Sequence, residues 1–240
     1  MTRFAHKAYD DIEARLLEGA TAALKQANTH ATFCVQGNEH WERMSIINAT
    51  HAGELFIKAA IAKVHPLLIF QNVFEPEKTA EVNSELSLKT LIKSGKSHDF
   101  GKLPSVLWAT TGVQITGLQV FKEAQEARNA VQHFVFDDLS SLSNLSLRFI
   151  YEVIDPLIKR EFNMHAIEHH EDHSVGYDYI VDTVVRSNLK FSIPTDFDLG
   201  EIYLSESVVD CDAAYLFWLK SELARIGKSN LIAKRWIDTQ

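Results

Sequence analysis

Cysteine is nearly absent from this 240-residue chain: Cys34 and Cys211 are the only two. They lack C-x-x-C spacing, so a disulfide framework is excluded, and both read as free thiols in a reducing compartment. Proline and glycine are also few, five and ten. Breakers are therefore rare, and with Leu, Ala, Glu and Lys recurring at helical intervals the expectation is a mostly α chain. No hydrophobic run is long enough for a bilayer. The most apolar stretch, 55–70, is interrupted by Lys58, Lys63, His65 and Pro66, short of the roughly 18–20 residues a span needs. Asp10, Asp11 and Glu13 fall where a secretory signal requires apolar continuity, so the expected location is cytoplasmic. Walker, dinucleotide-glycine and G-x-S-x-G patterns are missing, which excludes P-loop nucleotide hydrolysis.

What the chain has is an ordinary globular composition, 46% hydrophobic and 23% charged, enough to build a core. Its net charge of −8 repels polyanions, so a nucleic-acid partner must meet a local basic patch. The charges are segregated. Between residues 86 and 122 stand Lys89, Lys93, Lys96, Lys102 and Lys122 against one acid, Asp99, whereas 195–212 holds six acids and no Lys or Arg.

Apolar periodicity predicts helices over about 8–28 (Tyr9, Ile12, Leu16, Ala20, Leu24) and 41–64, the second apolar nearly all round and hence buried. His65-Pro66 ends it, because proline disfavours helical geometry in the residue before it. Further helices are expected at 77–93, at 117–136 with Thr116 as N-cap, and at 139–162, capped by Ser140 or Ser141 and kinked near Pro156. The SGKSHDFGKLP stretch between the third and fourth reads as a turn. After Asn163 the texture changes: HAIEHHEDH is polar and His-rich, YDYIVDTVV fits a strand or a short helix, and KFSIPTDFDLGEIYL is loop-like. Helical spacing returns over 206–226 and stops at Gly227. The expected division is an all-α unit over 1–163 and a smaller α or α+β extension over 164–240.

Within the helix at 117–136 stands Arg128-Asn129-Ala130-Val131-Gln132-His133. Arg128 shares a stripe with Leu118, Phe121, Ala124, Val131 and Val135, a costly place for a guanidinium without a partner or ligand. Asn129 and His133, four apart, share a neighbouring face. Arg and His lie about 140° apart around a helix of 3.6 residues per turn, so a single helix cannot aim both at one atom. Either the Arg reaches around or a second copy completes the site. These residue types suit phosphodiester chemistry without a metal. A guanidinium binds phosphate and stabilises a pentacoordinate transition state, an imidazole moves protons near neutrality, and Asn orients. The competing reading is an ordinary salt-bridge donor and a satisfied imidazole.

The R-N-x-x-x-H string at 128–133 resembles the hallmark of the HEPN (higher eukaryote and prokaryote nucleotide-binding) superfamily. THAGELFIKAAIAKVHPLLIF (50–70) is similar to that family's second long helix, and SHDFGKL (97–103) to a turn before its later helices. The resemblance covers about residues 8–162 and leaves the tail unmatched. It implies an up-and-down antiparallel helical bundle that dimerises, with two motif helices forming one RNA-cleaving cleft. It also implies catalytic Arg128 and His133 aided by Asn129, and a setting in toxin–antitoxin systems, stress response or phage defence with an antitoxin or regulatory protein as partner. Toxin members controlled by tyrosine modification carry Tyr two positions after the His; here it is Val135, which argues against that route of control.

Around this set, Glu54 is the candidate to support the His, although an i, i+4 ion pair with Lys58 is the plainer reading. Lys89, Lys93, Lys96 and Lys102 are candidates for RNA backbone contacts or a solvated face. His165, His169 and His173 recur at i, i+4, i+8, and His165 to His169 matches H-x-x-E-H. The polar surroundings suit a solvated linker better than a zinc site, so no cofactor is expected. The leading expectation is a metal-independent endoribonuclease acting on single-stranded RNA as a homodimer. The alternative is a non-catalytic HEPN-like module that binds a nucleotide, RNA or a partner protein, motivated by the acidic 195–212 segment.

Overall fold

The structure is a computed structural model that describes residues 9–33, 39–72, 95–133, 142–172, 174, 176–199 and 204–233. Among these residues the chain is mostly helical and forms no strand; the one β-bridge joins Phe70 and Ser97. No helix among them is long and apolar enough to cross a membrane. The chain divides into two compact units, one from Met1–Ala22 with His51–Ile115, the other from Ala23–Thr50 with Thr116–Gln240. This division runs through the first two helices and does not fall at the expected boundary near 163. The helix expected at 77–93 and the Ser140 and Ser141 caps lie outside the described residues.

Helix α1 spans Ile12–Thr32 and α2 spans Glu39–Val64. In α1 the buried positions Ile12, Ala20, Ala23, Leu24, Ala27 and Ala31 recur at three and four residues, the stripe that an amphipathic helix packs. In α2, Ile57 and the run Ala59–Ala62 are buried on every side, as the all-round apolar pattern predicts. His65 ends α2 in an extended conformation before Pro66, and its Nδ1 accepts the Leu67 N–H at 3.2 Å to cap the 3-10 turn Pro66–Ile69.

In the first unit, two backbone hydrogen bonds anchor the 95–98 segment to the end of that turn, Gln71 N–H to Lys96 O at 2.7 Å and His98 N–H to Ile69 O at 3.0 Å. The SGKSHDFGKLP stretch, expected as a turn, runs through a 3-10 turn at Phe100–Lys102 into helix α3, Leu103–Thr111. Pro104, at the start of that helix, stands where a missing N–H costs nothing, so it initiates a helix here. Gly112, φ 75°, closes the helix with its N–H on Trp108 O at 2.9 Å.

The second unit holds α4 (Leu118–Gln132), α5 (Leu142–Phe149), a π-helical turn at Ile150–Ile154, and α6 (Asp155–Phe162). Sequence spacing predicts the helix and its break at Pro156; the break takes the form of a widened turn. Proline has no N–H to offer the carbonyl four residues back, and that carbonyl, Glu152 O, accepts the Thr116 hydroxyl at 2.7 Å. Thr116 is thus not the N-cap of α4. That place belongs to Gly117 at φ 64°, which has no side chain to cap with.

Two buried polar side chains, Asp155 and Asn28, fix the path of the chain after α6. Asp155, 2% exposed, accepts hydrogen bonds from Ala166 N–H at 2.8 Å, Ser192 N–H at 2.6 Å and the Ser192 hydroxyl at 2.7 Å. Asn28 is fully buried; it donates through Nδ2 to Ala166 O and His169 O, and its Oδ1 accepts the Tyr151 hydroxyl at 3.0 Å. Burial raises the Asp155 carboxyl above its ordinary range, against the lowering effect of its hydrogen bonds and of His165. Beyond it, YDYIVDTVV forms helix α7 (Asp178–Arg186), whose Ile180, Val181, Val184 and Val185 are buried. Residues 189–199 form no helix but bury Leu189, Phe191, Ile193, Phe197 and Leu199. Helices α8 (Leu204–Ser207), α9 (Ala213–Arg225) and α10 (Asn230–Ala233) complete the unit, with Gly227 at φ 75° stopping α9 as expected.

Substitutions at two kinds of position test this packing. A Cβ at Gly117 would stand 3.1 Å from Glu152 O and 3.2 Å from a Val153 methyl at positive φ, whereas one at Gly227, also at positive φ, meets nothing within 4 Å. Gly117→Ala is expected to cost about 2 kcal/mol and Gly227→Ala about 1 kcal/mol, read from denaturant midpoints; equal costs would refute the crowding. Asp155→Asn places an amide among donors and is expected to cost about 3 kcal/mol, with hydrogen exchange rising first at Ala166 and Ser192.

Candidate functional site

The R-N-x-x-x-H residues stand on the last turn and a half of α4. The buried face of that helix is Val120, Phe121, Ala124 and Ala127, and Phe121 packs on Phe149 of α5 with ring centroids 5.9 Å apart. Arg128, beside Ala127, is half-buried, while Asn129 and His133 are exposed. The expected stripe is corrected at one end: Leu118 is 46% exposed, because the packing face is set by Val120 and Ala127. The helix ends at Gln132, earlier than the expected Phe136. His133 is its C-cap residue, its backbone N–H bonded to Asn129 O at 3.0 Å, and it is exposed. Val135 lies outside the described residues.

Beside this helix, Arg148 of α5 holds Glu123 of α4 at 3.1 Å and Glu152 at 3.3 Å. These surface pairs are worth little individually, but they place a second guanidinium between two carboxylates. Linear spacing carries no signal for the Arg148–Glu123 contact, since folding brings the two helices together.

Glu54, the candidate support for the His, belongs to the first unit, whereas Arg128, Asn129 and His133 belong to the second. Its carboxylate accepts the Lys58 ammonium at 2.7 Å, the i, i+4 pair expected from spacing, and Lys58, 7% exposed, also donates to Ser97 Oγ at 3.0 Å. Lys96 and Lys102 are exposed; Lys89 and Lys93 lie outside the described residues. His98, which no motif singles out, stands in the same region. Burial lowers its pKa, and the Lys102 and Lys58 charges lower it further.

The His-rich segment is corrected most. Residues 165–169 are not a helix: His165 and His169 are extended and flank a single 3-10 turn, Ala166–Glu168. Nor is the segment a solvated linker, since His165, Ala166, Ile167 and His170 are buried. His165 Nε2 lies 3.1 Å from Lys159 Nζ, and Nδ1 lies 3.1 Å from Ser192 O. Both ring nitrogens thus have polar partners within hydrogen-bond distance. Among the described residues no three His, Cys, Asp or Glu side chains converge as a metal site, and His173 is not described.

Comparison of the chain with protein-family models, with curated proteins and with solved structures finds no match.

Two half-buried histidines set a pH dependence. Burial lowers His169 to about 4, assisted by the charges of Lys25, His170 and His165, and also lowers His30. The unfolded chain takes up these protons first as pH falls below 6.5, so stability is full above that value and declines toward pH 4. The raised Asp155 carboxyl acts in the opposite sense at the acid end. His169→Leu is expected to remove about 2 kcal/mol of the decline between pH 6.5 and 4.5, as measured by urea midpoints across that range; an unchanged slope would exclude His169 as its source.

Proposed function

We propose that this protein is an HEPN-type, metal-independent endoribonuclease whose site is completed by a second copy of the chain. The observation that carries the reading is the exposed end of α4, where Asn129 and His133 face solvent and half-buried Arg128 borders the packed face. Arg128 and His133 are about 7.5 Å apart along the helix axis and about 140° apart around it. A phosphate held by the guanidinium of one copy is therefore met by the imidazole of another.

In the proposed reaction the ribose 2′-oxygen attacks the adjacent phosphorus as its proton passes to an imidazole. The P–O5′ bond breaks, and the departing oxygen takes a proton from the imidazolium. The products are a 2′,3′-cyclic phosphate and a free 5′-hydroxyl. Arg128 neutralises the added negative charge of the pentacoordinate phosphorus, and Asn129 orients the imidazole or donates to a phosphoryl oxygen. Exposed Lys96 and Lys102 belong to the first unit and offer an RNA backbone attraction of their own in an otherwise acidic chain. A role in stress response, toxin–antitoxin control or phage defence belongs to the same proposal.

Purified protein incubated with a labelled single-stranded RNA in EDTA tests it. Cleavage should leave cyclic phosphate ends and spare a 2′-deoxy substrate. Arg128→Ala should slow it about 10²–10³-fold, His133→Ala about 10²–10⁴-fold, and Asn129→Ala about tenfold. Cleavage indifferent to Arg128 and His133 would overturn the assignment, and binding without cleavage would leave the non-catalytic module.

A further inference from the structure

Three tryptophans are described, and two of them are packed: Trp41 lies against His30, and Trp218 against Phe191 and Tyr215 with the Lys190 ammonium over its ring. Trp108 of α3 is 58% exposed. A single exposed apolar side chain is ordinary; what sets this one apart is its surroundings. Leu103 and Leu107 are the buried side of α3. At about 100° per residue the opposite side runs from Trp108 through Gly112, Ser105 and Ala109 to Lys102, the residue before the helix, and all five are exposed. The indole thus stands at one edge of a floor of small side chains and an ammonium at the other, about 9 Å apart along the axis.

Charge decides what such a floor receives. No Asp, Glu, Lys or Arg occurs between Lys102 and Lys122, and residues 86–115 hold four Lys against Asp99 in a chain of net charge −8. Lys96 and Lys102 are exposed, and the Lys102 charge reaches His98, two residues from Lys96, so the two ammonium groups share one neighbourhood. Lys58, also felt by His98, is buried against Glu54 and neutralised within the fold. A cationic rim attracts a polyanion, and an open indole takes a flat partner. An unpaired nucleic-acid strand has both the repeating negative charge and the flat apolar faces. We propose that the solvent side of α3 is a docking surface for single-stranded RNA, with one base stacked on Trp108 and neighbouring phosphates on Lys102 and Lys96.

The consequence is a selection for unpaired substrate. In a duplex the faces of each base are covered by its neighbours, and a base has to be splayed out to reach an aromatic ring. Stacking uses the π-face that every base has, so the surface selects single strands without selecting a sequence. The lysines add an affinity that falls with salt, and the small side chains of Ser105, Ala109 and Gly112 leave the ring open on the side toward Lys102. The choice of RNA as the strand rests on the ribonuclease reading, but the surface concerns binding in the first unit and not cleavage at Arg128 and His133.

Fluorescence anisotropy of the full chain with a short, labelled, mixed-sequence 2′-O-methyl oligonucleotide tests it. This strand lacks the 2′-hydroxyl that the proposed cleavage consumes, so binding is read alone. The wild type should bind it at low salt and bind its duplex about tenfold more weakly. Trp108→Ala should weaken the single strand about tenfold or more with unchanged circular dichroism, and Trp108→Phe should recover most of the loss. Lys102→Ala should lower the slope of log K against log salt by about 0.7. Inorganic polyphosphate, a polyanion without bases, should bind equally well to the wild type and to Trp108→Ala. No binding of the single strand, equal affinity for the duplex, indifference to Trp108→Ala, or the same loss for polyphosphate would each overturn the proposal. Trp108-dependent binding by a chain that cleaves no RNA would sink the ribonuclease reading alone, and cleavage with binding indifferent to Trp108 would sink this one alone.

Discussion

A carboxylate removed from water has to be surrounded by donors, and Asp155 meets that demand with two backbone amides and a hydroxyl from residues 11 and 37 positions further on. The arrangement of the second unit depends on it. The segments directly after α6 and α7 have little regular structure to satisfy their own backbone, and burying irregular backbone without partners is costly. Asp155 takes donors from both segments and Asn28 supplies donors to the carbonyls at Ala166 and His169. With these groups satisfied, Ile167, Phe191 and Ile193 can be buried without helices to carry them.

The features legible in the sequence are those in which one residue type has one physical outcome. Pro66 ends α2, Pro156 disrupts the helix it enters, Gly227 stops α9, and the apolar positions of α1 and α2 are buried as their spacing requires. Features that depend on distant partners are not legible. The His-rich stretch is polar by composition and reads as a linker, yet it is buried because Asn28, Thr29 and Asp155 bond to it. Helix α3 is hidden because Gly95, Gly101 and Pro104 look like breakers, when Pro104 in fact begins the helix.

The candidate site shows the same division. The spacing of Arg128, Asn129 and His133 identifies a chemically distinctive helix end, and helical geometry alone establishes that one copy cannot converge them. Which side of α4 packs is not decided by spacing: Leu118 looks like part of the stripe and is half-exposed, while Ala127 is buried. A small residue that permits close approach carries almost no hydropathy signal, so packing faces built on alanine are easily misjudged by one position. The ion pair of Glu54 and Lys58, by contrast, is local, and its i, i+4 spacing is sufficient to foresee it.

Because the two units are interleaved along the chain, their assembly during synthesis is constrained. Asn28 leaves the ribosome long before Tyr151 and Ala166, its partners 123 and 138 residues later. Residues 23–50 therefore emerge while most of their own unit is still untranslated, and a growing chain arrested near residue 115 would hold every segment of the first unit but only the opening segment of the second. Closing loops of this length is entropically slow, so the second half of α1, from Ala23 on, waits for its own unit and Asn28 stays without these partners until residues 151–166 have been made.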